Sequence, residues 1–160
     1  MAPRKLAQPL VAYRIGDPNG RFAIYSGEGA ALQEGRWHER GQEVIYASQT
    51  YSTAMLEKLA HFNGVMPPNQ HFVAITIPAG TGYEVVTKDS LPGWTDTAVA
   101  RAFGTRWFSE RRSAVLIVPS YVAREEANIL INPAHGEAAG IQCGLETPIW
   151  WDQRLFDGRT

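Results

Sequence analysis

Residues 113–118, Ser-Ala-Val-Leu-Ile-Val, form the most continuous apolar run in the chain, and Pro119-Ser120 ends it. A run rich in β-branched residues with no polar alternation reads as a central, buried strand. The rest of the chain must therefore supply neighbouring strands and cover. At 160 residues it has the length of one domain with a real core.

Further strands follow from alternation. Residues 10–15 alternate, with Val11 and Tyr13 on one face and Leu10, Ala12 and Arg14 on the other. The turn formers of residues 16–20, Gly-Asp-Pro-Asn-Gly, stop that strand. Short strands are predicted at residues 22–25, 44–47 and 83–87, and a well-alternating one at 71–77, ended by Pro78. Residues 125–133 give a short strand or turn that breaks at Asn132-Pro133, and residues 148–156 a last strand packed by aromatics.

Two helices are predicted. Thr50 or Ser52 caps the first, which runs to about Phe62 before Asn63-Gly64, with Met55, Leu59 and Phe62 as its core stripe. Thr95 or Asp96 caps the second, to about Arg112, with Val99, Phe103 and Trp107 inward and Arg101, Glu110 and Arg111 toward water. About seven strands and two helices in mixed order give an α+β fold with a bent or sandwiched sheet. Residues 1–9 read as a flexible arm and residues 10–160 as the domain.

Composition removes several function classes. A formal net charge of −1 gives no general attraction to nucleic acid or to an anionic membrane. No stretch approaches the length of a spanning helix, and the N-terminus lacks the apolar run of a signal peptide. The single cysteine, Cys143, excludes an internal disulfide and fits a reducing cytoplasm. His38, His61, His71 and His135 are scattered without ligand spacing, so no metal is expected. Ser120 lacks a nucleophile elbow.

The chemistry concentrates in residues 35–57, where a loop with Gly35-Arg36-Trp37, a strand with Tyr46 and a helix with Glu57 follow in immediate succession. Such a succession can converge side chains at one sheet edge. Arg36 suits either a surface ion pair with Glu39 or Glu43, or a donor fork for phosphate oxygens. Tyr46 is either a half-buried strand residue or a stacking surface. Glu57 lies opposite the core stripe, where pattern alone favours a solvated glutamate. Arg14 stands in an apolar strand, where an unpaired charge is costly, so it wants a carboxylate or an anionic ligand. Ser120 is placed either to cap a turn or to contact a ligand.

These pieces, in this order, resemble the RES-domain toxins of bacterial toxin–antitoxin pairs, from Tyr13 to about Phe156. The resemblance is carried by Tyr13-Arg14, Gly35-Arg36-Trp37, Val44-Ile45-Tyr46-Ala47, Glu57, Val118-Pro119-Ser120 and the segment from Asn128 to His135. One departure is His38, where many relatives have Asn. The resemblance implies a split, bent mixed sheet like that of ADP-ribosyltransferases, flanked by a few helices, with NAD bound in its cleft as substrate. It implies scission of the nicotinamide–ribose bond, with Glu57, Arg36 and Tyr46 as catalytic residues. NAD would be held by Arg14, Tyr13, Arg36, Tyr46, Ser120 and Asn128. ADP-ribose would pass to a protein or, alternatively, to water or phosphate. The partner implied is a helix-turn-helix antitoxin covering the site, and the possible target an intracellular protein. A non-enzymatic binding module or an RNA-targeting toxin is the rival from another class; near-neutral charge counts against RNA.

Overall fold

The computed structural model describes residues 3–156 and Gly158. Its strands are β1 (Arg4–Lys5), β2 (Leu10–Gly16), β3 (Ile45–Ser48), β4 (His71–Ile77), β5 (Gly82–Val85), β6 (Val115–Pro119), β7 (Ala127–Ile131), β8 (Gln142–Cys143) and β9 (Thr147–Pro148). The α-helices are α1 (Tyr51–His61) and α2 (Thr97–Ser109). The strands form one sheet in the order β1-β5-β6-β7-β3-β2-β4-β8, with β9 beside β4. Among the described pairs only β5 and β6 run parallel. The α+β class is as the element order predicts, and the sheet curls into a half-barrel.

The apolar run lies at β6, between β5 and β7, and its side chains divide between two cores. Val115 packs with Ile45, Ile75, Ile129 and Ile131 on one face. Leu116, Val118 and Leu130 pack on the other with Trp37, Trp94 and Trp107, beneath α2 and the loop before β3. Both faces are thus dry, which is what a strand without polar alternation requires.

The split in the sheet lies between β2 and β3. β2 matches β4 at every one of its seven residues. It meets β3 at a single register, Tyr13 opposite Ser48. Beyond that point the strands diverge, and α1 lies over the gap. Thr50 caps α1 by accepting from the Thr53 N–H at 3.1 Å. Asn63 and Gly64, both at positive φ, end it as predicted.

Four expectations are corrected. Residues 22–25 form no strand, because the loop turns inward to bury Ile24 and to offer its carbonyl to Arg14. Arg4–Lys5 is not a free arm: it pairs with β5, and Lys5 meets Glu137 at 3.0 Å. The tail holds only the two-residue β9 and a one-turn helix at Gln153–Leu155, with Trp150 76% exposed. α2 stops at Ser109, and its buried residues are Ala100, Gly104 and Trp107. No helix among the described residues is long and apolar enough to cross a membrane.

Candidate active site

Where β2 and β3 diverge, a cleft of 220 Å³ opens beneath α1. Tyr13 and Arg14 reach it from β2, Tyr46 from β3, Glu57 from α1 and Asn128 from β7. Five of the residues singled out in the sequence therefore share one cavity. The expected core stripe of α1 is corrected here. The residues it buries are Thr53 and Ala54, while Met55 and Leu59 are only partly covered. The small Ala54 lets that face approach the sheet, and Glu57, three positions on, turns into the cleft instead of toward solvent.

Ser120, at the end of β6, is fully buried and donates its hydroxyl to Glu57 Oε1 at 2.9 Å. Ser120 Oγ itself accepts from the Ala123 N–H at 3.0 Å, which fixes its lone pairs and so the direction of its proton. Ser120 thus steers the glutamate and does not line the cavity. Glu57 Oε2 accepts from no other described residue. Asn128, 9% exposed, takes the Ser48 hydroxyl on its carbonyl oxygen at 2.9 Å, which leaves its amide N–H groups for a ligand.

Arg14 finds no carboxylate among the described residues. Its Nε donates to the Ile24 carbonyl and its Nη1 to the Tyr46 carbonyl at 2.7 Å, bridging the gap where β2 and β3 no longer pair. Burial pulls its pKa down to about 10. Beside it stands Lys58, which no pattern in the sequence singles out. Burial, and then the charge of Arg14, hold its pKa down to about 8. No described carboxylate lies within 4.0 Å of Lys58 either.

Tyr46 turns its ring to the cleft and its hydroxyl away. That hydroxyl accepts from the Trp37 N–H at 3.2 Å and lies 2.7 Å from His38 Nδ1. His38 Nε2 faces the carbonyls of Ala30 and Gln33, so Nε2 carries the proton and Nδ1 accepts from Tyr46. Burial pushes the Tyr46 pKa well up, with partial relief from the Trp37 N–H and the charges of Arg101 and Arg36. The phenol is therefore a neutral anchor. His38, the departure noted above, is the residue that locks it.

Arg36 stands apart from the other expected residues. It is not part of the cavity wall; it stacks on the Tyr121 ring at 3.9 Å and donates to the Thr95 carbonyl at 3.1 Å. Neither Glu39 nor Glu43 pairs with it among the described ion pairs. Its loop is seated by α2. Arg101, expected in water, donates to the Gly35 carbonyl at 2.8 Å, and a Cβ on Gly104 would lie 1.8 Å from the Trp37 carbonyl oxygen. Among the described residues no group of His, Cys, Asp and Glu could hold a metal ion.

Comparison with known proteins gives the chain's relatives. The RES domain profile matches residues 11–152. A Prs ADP-ribosylating toxin of Sphingobium sp. (strain YBL2) is 39% identical over 138 residues, covering 82% of this chain and 86% of that protein. A protein named Toxin Res from Pseudomonas putida (strain KT2440) is 32% identical, over 92% of this chain and 100% of its own length. Among solved structures, a chain of the M. tuberculosis MbcT–MbcA toxin–antitoxin complex superposes with a TM-score of 0.69 at 16% identity, covering 91% of this chain and 86% of that one. At that identity the match speaks for the fold.

Proposed function

The chain belongs to the RES domain family, and on that premise we propose that it is a toxin that cleaves NAD between nicotinamide and ribose and passes ADP-ribose to an acceptor protein. The observation that carries this reading is the oriented carboxylate. Glu57 enters a cleft walled by Tyr13 and Tyr46, with one oxygen held by Ser120 and the other free.

Scission of the bond between the ribose C1′ and the nicotinamide ring nitrogen sends the electron pair to the ring, which departs neutral. Positive charge is left on the ribose, as in glycoside cleavage. The Glu57 carboxylate counters that charge and accepts from ribose hydroxyls through its free oxygen. Tyr46 and Tyr13 offer ring surfaces to nicotinamide, and the Asn128 amide donates to its carboxamide oxygen. Arg14 takes the phosphates, because its charge reaches the cleft without a protein counter-ion. Arg36, outside the cavity wall and stacked on Tyr121, would meet the part of the dinucleotide that extends beyond the cleft. An acceptor atom on the target then bonds to C1′ and releases its proton.

The relative named as an ADP-ribosylating toxin supports transfer over simple loss of NAD. Relatives named as toxins support the need for an antitoxin, which we expect to cover the cleft. The test is incubation of the purified protein in cell lysate with NAD labelled in its adenylate half. Label that stays on one protein band supports transfer. Label found only in free ADP-ribose, or in ADP-ribose 1-phosphate, assigns the acceptor to water or to phosphate.

A further inference from the structure

The cleft does not end at Arg14. A second cavity of 200 Å³ opens on the other side, walled by the loop after β2, with Asp17, Phe22, Ala23 and Ser26. Arg14 and Lys58 line both cavities. The Arg14 guanidinium spans their boundary: the Ile24 carbonyl that it holds belongs to the second wall and the Tyr46 carbonyl to the first. Those two bonds use two of the five N–H donors of a guanidinium, and no other described residue accepts the rest. Two neighbouring cations without a carboxylate are a repulsive pair until an anion joins them. The cavities on either side differ in kind. The first has the oriented carboxylate, and the second has the Phe22 ring with the Asp17 carboxylate and the Ser26 hydroxyl near it.

We propose that Lys58, together with Arg14, seats the pyrophosphate of a dinucleotide, and that the cavity beside Phe22 receives the nucleoside at the far end from the bond that breaks. The inference rests on the NAD reading above and adds to it a second subsite and a second cation. Lys58 is adjacent in sequence to Glu57, so α1 then positions both the charge that meets the ribose and the charge that meets the phosphates. Phe22 offers its ring to the adenine, and Asp17 accepts from the far ribose.

Calorimetric titration tests this, with three probes and every protein carrying Glu57→Gln so that no NAD is consumed. The probes are NAD, ADP and nicotinamide mononucleotide. Lys58→Gln is expected to weaken all three about tenfold, since each brings a phosphate to the shared boundary. Phe22→Ala is expected to weaken NAD and ADP and to spare nicotinamide mononucleotide, which lies wholly in the first cavity. Ala23→Trp, at an exposed position that folding tolerates, fills the second cavity and should give the same split even if Phe22→Ala unfolds. If the parent binds NAD but neither variant separates ADP from nicotinamide mononucleotide, the second subsite is wrong and the NAD reading stands. Unchanged NAD binding in Lys58→Gln removes the second cation. A parent that binds none of the probes overturns both readings together.

Discussion

Lys58 is a base whose proton is loosely held at the place where a phosphate would sit. With its pKa near 8, it is mostly charged at pH 7 and mostly neutral at pH 9, whereas an ordinary lysine stays charged throughout. The titratable groups that share its two cavities are Arg14, Glu57, His61, Tyr13, Tyr46 and Asp17. A bound pyrophosphate favours the protonated form, so NAD affinity should fall by about fourfold from pH 7.5 to pH 9. Titrations of Lys58→Arg over the same range should be flat. A second prediction concerns Ser120→Ala, which frees the Glu57 carboxylate to rotate. Nicotinamide release should slow by about tenfold, mostly in kcat, because the orientation matters most in the transition state. Arg14 was legible in the sequence because a charge in an apolar strand is expensive. Lys58 was not, because a lysine on a helix is ordinary until the sheet beside it opens.

At the scale of elements, the Gly35-Arg36-Trp37 loop depends on α2. The absence of a side chain at Gly104 lets the Trp37 backbone touch the helix, at a distance no Cβ could share. Gly104→Ala must push the loop away, with Trp37 and the Tyr46–His38 anchor behind it. We expect a loss of about 1–3 kcal/mol, as for overpacking of a filled core, read as a drop of several degrees in Tm. Arg36→Lys, at a half-buried site with no carboxylate partner, should leave Tm close to wild type and weaken NAD about tenfold, since a point charge cannot keep both the Tyr121 stack and a fork of donors. The strands at 71–77 and 115–119 could be read from alternation and from an unbroken apolar run, because both are fixed by local pattern. The inward face of α1 could not. Its polar residues line a cleft made by distant strands, and helical periodicity registers only what is apolar. Residues 22–25 have the composition of a strand, yet they form a loop that buries only Ile24 and gives its carbonyl to the side chain of Arg14.

For the whole molecule, the site is a consequence of one missing ladder. β2 is paired along its length on one side and at a single register on the other, and most of the cleft-lining residues come from the strands and the helix that border that gap, with Asn128 added from β7. The bent and split sheet was foreseen through family resemblance, whereas the place of the split depends on pairing that no local pattern records. A free toxin of this kind should harm its host. Expression of the wild-type chain alone should arrest growth, and Glu57→Gln should relieve the arrest without lowering protein yield. The most direct test of the central claim is nicotinamide release from NAD by purified wild-type protein and by Glu57→Gln, at equal concentration and with matched melting curves. The account predicts steady release by the wild type and a rate lower by about 10²-fold or more in the variant, which corresponds to on the order of 3 kcal/mol of lost charge stabilisation. Equal rates in the two proteins, or no release by the wild type, would contradict it.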